Sequence, residues 1–99
     1  MDQDEVIAEV NHIAKEVAFG VKNIEASHNP VVGILLITTL EDHFYKLNRN
    51  NKGFRVVYSS PVFNEGGDTF IFETIDAFLN KVSPLYRAAF VEQLHSKFL

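Results

Sequence analysis

The chain has no cysteine and no tryptophan, and only three prolines and five glycines. Without cysteine it can form no disulfide, present no thiolate nucleophile and build no sulfur-ligated zinc site; this fits a reducing compartment, and a cytoplasmic location is the expectation. An apolar run long enough to cross a bilayer as a helix is missing too. The uncharged run from Val31 to Leu40 is about half of the roughly 20 residues such a helix takes. The acidic start "MDQDEVIAEV" lacks the basic opening of a signal peptide. Positive charge is in deficit, with 9 Lys and Arg against 13 Asp and Glu and a net charge of −4. Phosphate contacts need dense cations, so nucleic-acid binding across the whole surface is not expected.

What is present is globular. Hydrophobic residues make up 46% of the 99 and charged residues 22%, ordinary values for a folded domain, and residues 1–99 are expected to form one domain. Nine Phe against three Tyr place much of the core volume in flat apolar rings without a polar handle.

From Asp2 to about Ala26 the residues Val6, Val10, Ile13, Val17 and Ile24 keep helical spacing, while Asp2, Asp4 and Glu5 in the first turn suit the positive end of a helix dipole. Gly20 breaks the stripe. A glycine inside a helix costs about 1 kcal/mol relative to alanine, so the helix kinks or ends there, or another backbone approaches closely. "VVGILLI" is β-branched and uncharged, and reads as a buried strand from Val31 to Ile37. A helix is predicted behind it from Thr39 to Leu47, with Thr38 and Glu41 as a capping box and Leu40, Phe44 and Leu47 as the stripe. The competing reading is one long helix.

"NRNNKG" is dense in turn formers, and "FRVVYSS" reads as a strand. "NEGGD", Asn64 to Asp68, has the paired glycines of a mobile hairpin connection. "TFIFE", Thr69 to Glu73, is predicted as a third strand paired with the one before it, followed by a helix from Ile75 to Lys81. Ser83-Pro84 starts a last helix to about Lys97, expected to turn Leu85, Ala88, Ala89, Val91, Leu94 and Phe98 inward. The resulting fold class is α+β: a small domain with a long N-terminal helix, a short, mainly antiparallel sheet of about three strands, and two C-terminal helices. The alternative is an all-α bundle with a β-hairpin.

No catalytic constellation, metal site or cofactor site is predicted. His12, His28, His43 and His95 fall on separate elements, whereas a metal needs several ligands together. His43, beside Glu41 and Asp42, is the one candidate general base for a small enzyme or ligand-binding domain. "KGFRVVYS" agrees in part with the signature strand of RNA-recognition domains, but Arg55 and Val56 depart from it, so it assigns no family. Lys46, Arg49, Lys52 and Arg55 form a basic corner. It suits a helix end or a guarded edge strand, and as a functional feature it suits an acidic partner, protein or phosphate.

The expected function is a non-enzymatic protein-interaction module (an adaptor, inhibitor or antitoxin-like regulator). Its partner-binding residues are Lys46, Arg49, Lys52 and Arg55, with Val10 and Val17 pairing the long helix with a copy of itself. A small enzyme with a pocket near His43 is the second class, and a nucleic-acid binder through residues 46–55 the third.

Overall fold

Alternation of buried and exposed side chains runs through the middle of the chain, and it builds more sheet than the spacing of apolar residues led us to expect. The computed structural model describes residues 3–28, 32–50, 52–60 and 71–97. Along the chain these form helix α1 (Gln3–Val17), a 3-10 turn (Ala18–Gly20), strands β1 (Val21–His28), β2 (Gly33–Thr39), β3 (Phe44–Asn50), β4 (Gly53–Ser60) and β5 (Ile71–Phe72), then helices α2 (Ile75–Val82) and α3 (Pro84–Lys97). The strands lie side by side in chain order, each antiparallel to its neighbours. The α+β class holds, with five strands in place of about three.

Two predicted helical segments are strands. The first helix stops at Val17 rather than near Ala26, because Gly20 sits against the ring of Tyr86: a Cβ at that position would stand 2.5 Å from Tyr86 Cδ2. Beyond it the chain pairs with β2, with a register shift between Val21 and Asn23. Ile24, seven residues after Val17, keeps helical spacing with the stripe although it belongs to an extended strand. Likewise "TTLEDHFYKL" is a tight turn followed by β3. Thr39 N–H donates to His43 O at 2.8 Å, His43 N–H donates to Thr39 Oγ1 at 3.2 Å, and Asp42 takes a φ of 65°.

The other predictions fare better. The strand expected over Val31–Ile37 is β2, "FRVVYSS" is β4, and Phe72 and Ile71 pair with Phe54 and Arg55 of β4 as the third-strand reading required. The last helix begins where Ser83-Pro84 predicts, with Tyr86 N–H donating to Ser83 Oγ at 3.0 Å, and α2 begins at Ile75 as expected, capped by Thr74, whose Oγ1 accepts from Ala77 N–H at 3.1 Å. The predicted loop at 64–68 lies outside the described residues.

All three helices gather on one side of the sheet. The α1 stripe of Val6, Val10, Ile13 and Val17 is buried there, and Gly33 of β2 lets the helix sit close, since a Cβ on it would be 2.7 Å from Val6 Cγ1. Phe78 of α2 meets Tyr45 and Phe72 edge-on, with ring centroids 5.1 and 5.2 Å apart. Such aromatic pairs add about 0.5–1.5 kcal/mol beyond the area they bury.

The last helix packs by a different face from the one predicted. Tyr86 is fully buried, with Ala89 and Phe90 half-buried beside it, whereas Leu85, Ala88, Val91 and Leu94 are exposed. Tyr86 takes the inner position because its ring packs at a tilt against Phe19, centroids 5.5 Å apart, while its hydroxyl donates to Asp76 Oδ1. Burial, then the hydrogen bond and charge of Asp76, raise its pKa and keep it a neutral donor.

Candidate protein-docking surfaces

The basic corner is divided by the sheet. Arg49 alternates with Tyr45 and Leu47 and so points to the helix side, where its Nε donates to Glu9 Oε1 and its Nη2 to Glu9 Oε2 at 3.4 Å. Its Nη1 donates to the Asn50 carbonyl, and the guanidinium lies 5.0 Å from the Phe54 ring centroid. These contacts tie α1 to the β3–β4 hairpin. Lys46 and Arg55 point to the opposite side, and Lys52 is exposed in the turn between β3 and β4, its N–H donating to Asn50 Oδ1 at 2.8 Å.

Val10 and Val17, expected to meet a partner, are each 1% exposed and belong to this chain's own core. A copy of the helix could reach them only by displacing the sheet. Histidine positions are likewise separate. His12 pairs on the surface with Glu16 at 3.3 Å, His28 ends β1, His95 is exposed on α3, and His43 holds its turn through backbone atoms. Among the described residues no three His, Cys, Asp or Glu gather as a metal site would require. A cleft of about 300 Å³ between α1 and the start of α2 is lined by Glu9, Glu16, Glu73, Asp76, Arg49 and Phe54.

One site was mis-assigned at the level of sequence. Glu41, read as part of a capping box for a helix after Thr39, caps α3 instead. Its Oε1 accepts from Ser83 Oγ at 2.7 Å and its Oε2 from Leu85 N–H at 2.9 Å. Burial works to raise its pKa, but the hydrogen bonds from Leu85, Ser83, its own N–H and Thr39 outweigh that and hold the carboxyl below its ordinary value. This clamp fixes the β2–β3 turn to the start of α3 and so sets which face of α3 remains open. Val91, at 64% exposure, stands on the side of α3 away from Tyr86, while Leu94 at 39% and Leu85 at 48% lie on its two opposite flanks, roughly half a turn apart at about 100° per residue. Apolar groups left in water in this way are a mark of interaction surfaces.

A small α+β domain with a self-contained core and apolar side chains held outward on a capped helix is built as a protein-interaction domain. The chain belongs to the GSKIP domain family, whose family model matches residues 6–99. That domain is a protein-interaction domain, named for a GSK3-interacting protein, and its assignment fits a non-enzymatic, protein-binding regulator. No curated protein matches the chain in a direct sequence comparison.

Proposed function

We propose that the chain is a noncatalytic adaptor or inhibitor that holds a partner protein against the outer face of α3, and that this partner is a protein kinase of the GSK3 type. The single observation that carries the reading is the exposure of Val91, with Leu94 one turn beyond it, on a helix whose inner side is locked by Tyr86 and whose start is locked by Glu41. Val91 and Leu94 lie three residues apart and share one side of the helix, the spacing by which an amphipathic helix enters an apolar groove. The name of the family supports the kinase as partner. The absence of cysteine supports action in the cytoplasm.

The test is a calorimetric titration of the chain with GSK3, repeated with Val91→Asp and Leu94→Asp. Binding by the native chain, weakened at least about tenfold in either variant while the circular dichroism spectrum is unchanged, is the expected result; truncating a central interface residue typically costs over 1 kcal/mol. Equal binding by native chain and variants would move the site elsewhere, and no binding by the native chain would remove the kinase as partner.

A further inference from the structure

The side of the sheet turned away from the helices has a pattern of its own. The strand registers line up its residues in cross-strand rows: Glu25, Leu36, Lys46 and Tyr58 form one, and Ser27, Ile34, Asn48, Arg55 and Ile71 the next. A third row places Thr38 beside Phe44, whose ring meets Tyr58 edge-on at 5.9 Å. Neighbours in such a row stand about 5 Å apart, so these side chains make one continuous surface. Tyr58 is 58% exposed, and Ile34, Leu36, Phe44 and Ile71 are half-exposed. Among the described residues every helix packs on the other side.

Charge on this face runs against that of the molecule. The chain as a whole carries a net −4, yet Lys46 and Arg55 stand near the middle of the open face, and among the described residues of its strand rows the one carboxylate is that of Glu25, out on the edge strand. Lys22 and Arg49, by contrast, are paired with Asp42 and Glu9. Lys46 and Arg55 enter no ion pair among the described residues.

We infer that the helix-free face of the sheet is a second docking surface, separate from α3, that takes an acidic amphipathic segment of a partner polypeptide. Aliphatic and aromatic side chains receive its apolar residues, and Lys46 and Arg55 receive its carboxylates. Apolar centres with complementary charges around them are the usual anatomy of a protein interface. A second copy of this chain fits poorly, because a two-fold contact through this face brings the cations towards their own copies. Single-stranded RNA fits poorly as well: base stacking uses aromatic planes, and Ile34, Leu36 and Ile71 offer none. With α3 occupied by one protein and the sheet by another, the domain would hold two partners at once.

The probe is a synthetic helical peptide with leucines at i, i+3, i+4 and i+7 and glutamates between them, titrated into isotope-labelled protein. Expected are shifts confined to amides of β2, β3 and β4, and binding at least about tenfold weaker for Lys46→Glu and for Arg55→Glu, since each exchanges an attraction for a repulsion. Arg55→Gln, a milder change at an exposed site, is expected to weaken binding less and in the same direction. The same peptide with lysine for glutamate should fail to bind. Equal binding of the lysine peptide, shifts that map to α3, tighter binding of oligouridine, or occupation of the face by self-association would each overturn the inference. Because the α3 variants Val91→Asp and Leu94→Asp should bind the peptide normally, failure here is distinguishable from failure of the kinase reading.

Discussion

Leu35 and Leu36 are consecutive residues of β2, yet one is fully buried under α1 and the other looks out from the far side of the sheet. The same contrast runs along β3, where Tyr45 and Leu47 face the helices and Phe44 and Lys46 do not. Side chains of a strand alternate between its faces, so each strand serves two surfaces with two different jobs. The helix side collects Leu35, Ile37, Tyr45, Leu47, Phe54 and Phe72 with the α1 stripe, and this is where stability resides. The open side carries Ile34, Leu36, Phe44, Tyr58 and Ile71, which are half-buried or exposed, and no described helix covers it. An apolar residue in such a chain therefore has a meaning only once its face is known.

Substitutions should separate the two sides. The largest effect is expected from Val10→Asp, which places a charge at a site 1% exposed; a buried unpaired charge costs several kcal/mol, of the order of the roughly 5–15 kcal/mol that holds a domain folded. Loss of the circular dichroism signal at room temperature is the readout. A folded variant would show that the α1 stripe faces water.

Phe78→Ala should follow, since it empties a fully buried position between Tyr45 and Phe72. Large-to-small changes of this kind cost about 3–5 kcal/mol, measurable as a lowered urea midpoint. Gly20→Ala drives a methyl group into the Tyr86 ring and is expected to cost about 1–3 kcal/mol by overpacking. A stabilised variant would mean that the 3-10 turn yields freely.

Glu41→Gln tests the clamp between the sheet and α3, with an expected loss of about 1 kcal/mol. Its pH dependence has a definite sign. The folded-state pKa of Glu41 is depressed, so its contribution is fully present above the unfolded value and disappears as the pH falls through the folded one. Thermal melts of native chain and variant should differ at neutral pH and converge in acid; a constant gap would separate the loss from ionisation. Smallest of all, Tyr58→Ala on the open face should change stability by about 0.5 kcal/mol, and a loss above about 2 kcal/mol would place Tyr58 among the core residues.

Some elements were legible because their signals are local. Ser83-Pro84 announces α3 through capping chemistry confined to one turn, and the uncharged, β-branched run of β2 suits a buried strand in both composition and length. The β1 and β3 segments misled for one shared reason: a few apolar residues at helical intervals need not lie on one element or one face. Leu40, Phe44 and Leu47 look like a helical stripe, but Leu40 lies in a turn, Phe44 faces outward and Leu47 faces the core. Alternation of Tyr45, Leu47 and Arg49 was the signal available for β3. For α3, the large inward residue is Tyr86, one position beyond the predicted Leu85; of the residues predicted inward only Ala89 is half-buried, and Phe98 lies outside the described residues.

The amino-acid order alone determined the start of α3, the strand of β2 and the lack of cysteine chemistry, since each depends on residues adjacent in the chain; "NRNNKG" was expected as a turn, whereas Asn48–Asn50 still belong to β3 and Gly53 already to β4. Tertiary structure alone decided that Arg49 braces α1, that Glu41 caps a helix 42 residues away, and that Val10 is core while Val91 is surface. Those assignments depend on which side of a sheet or helix other elements come to cover. That outcome follows from the packing of distant segments against one another, and no short stretch of sequence contains it.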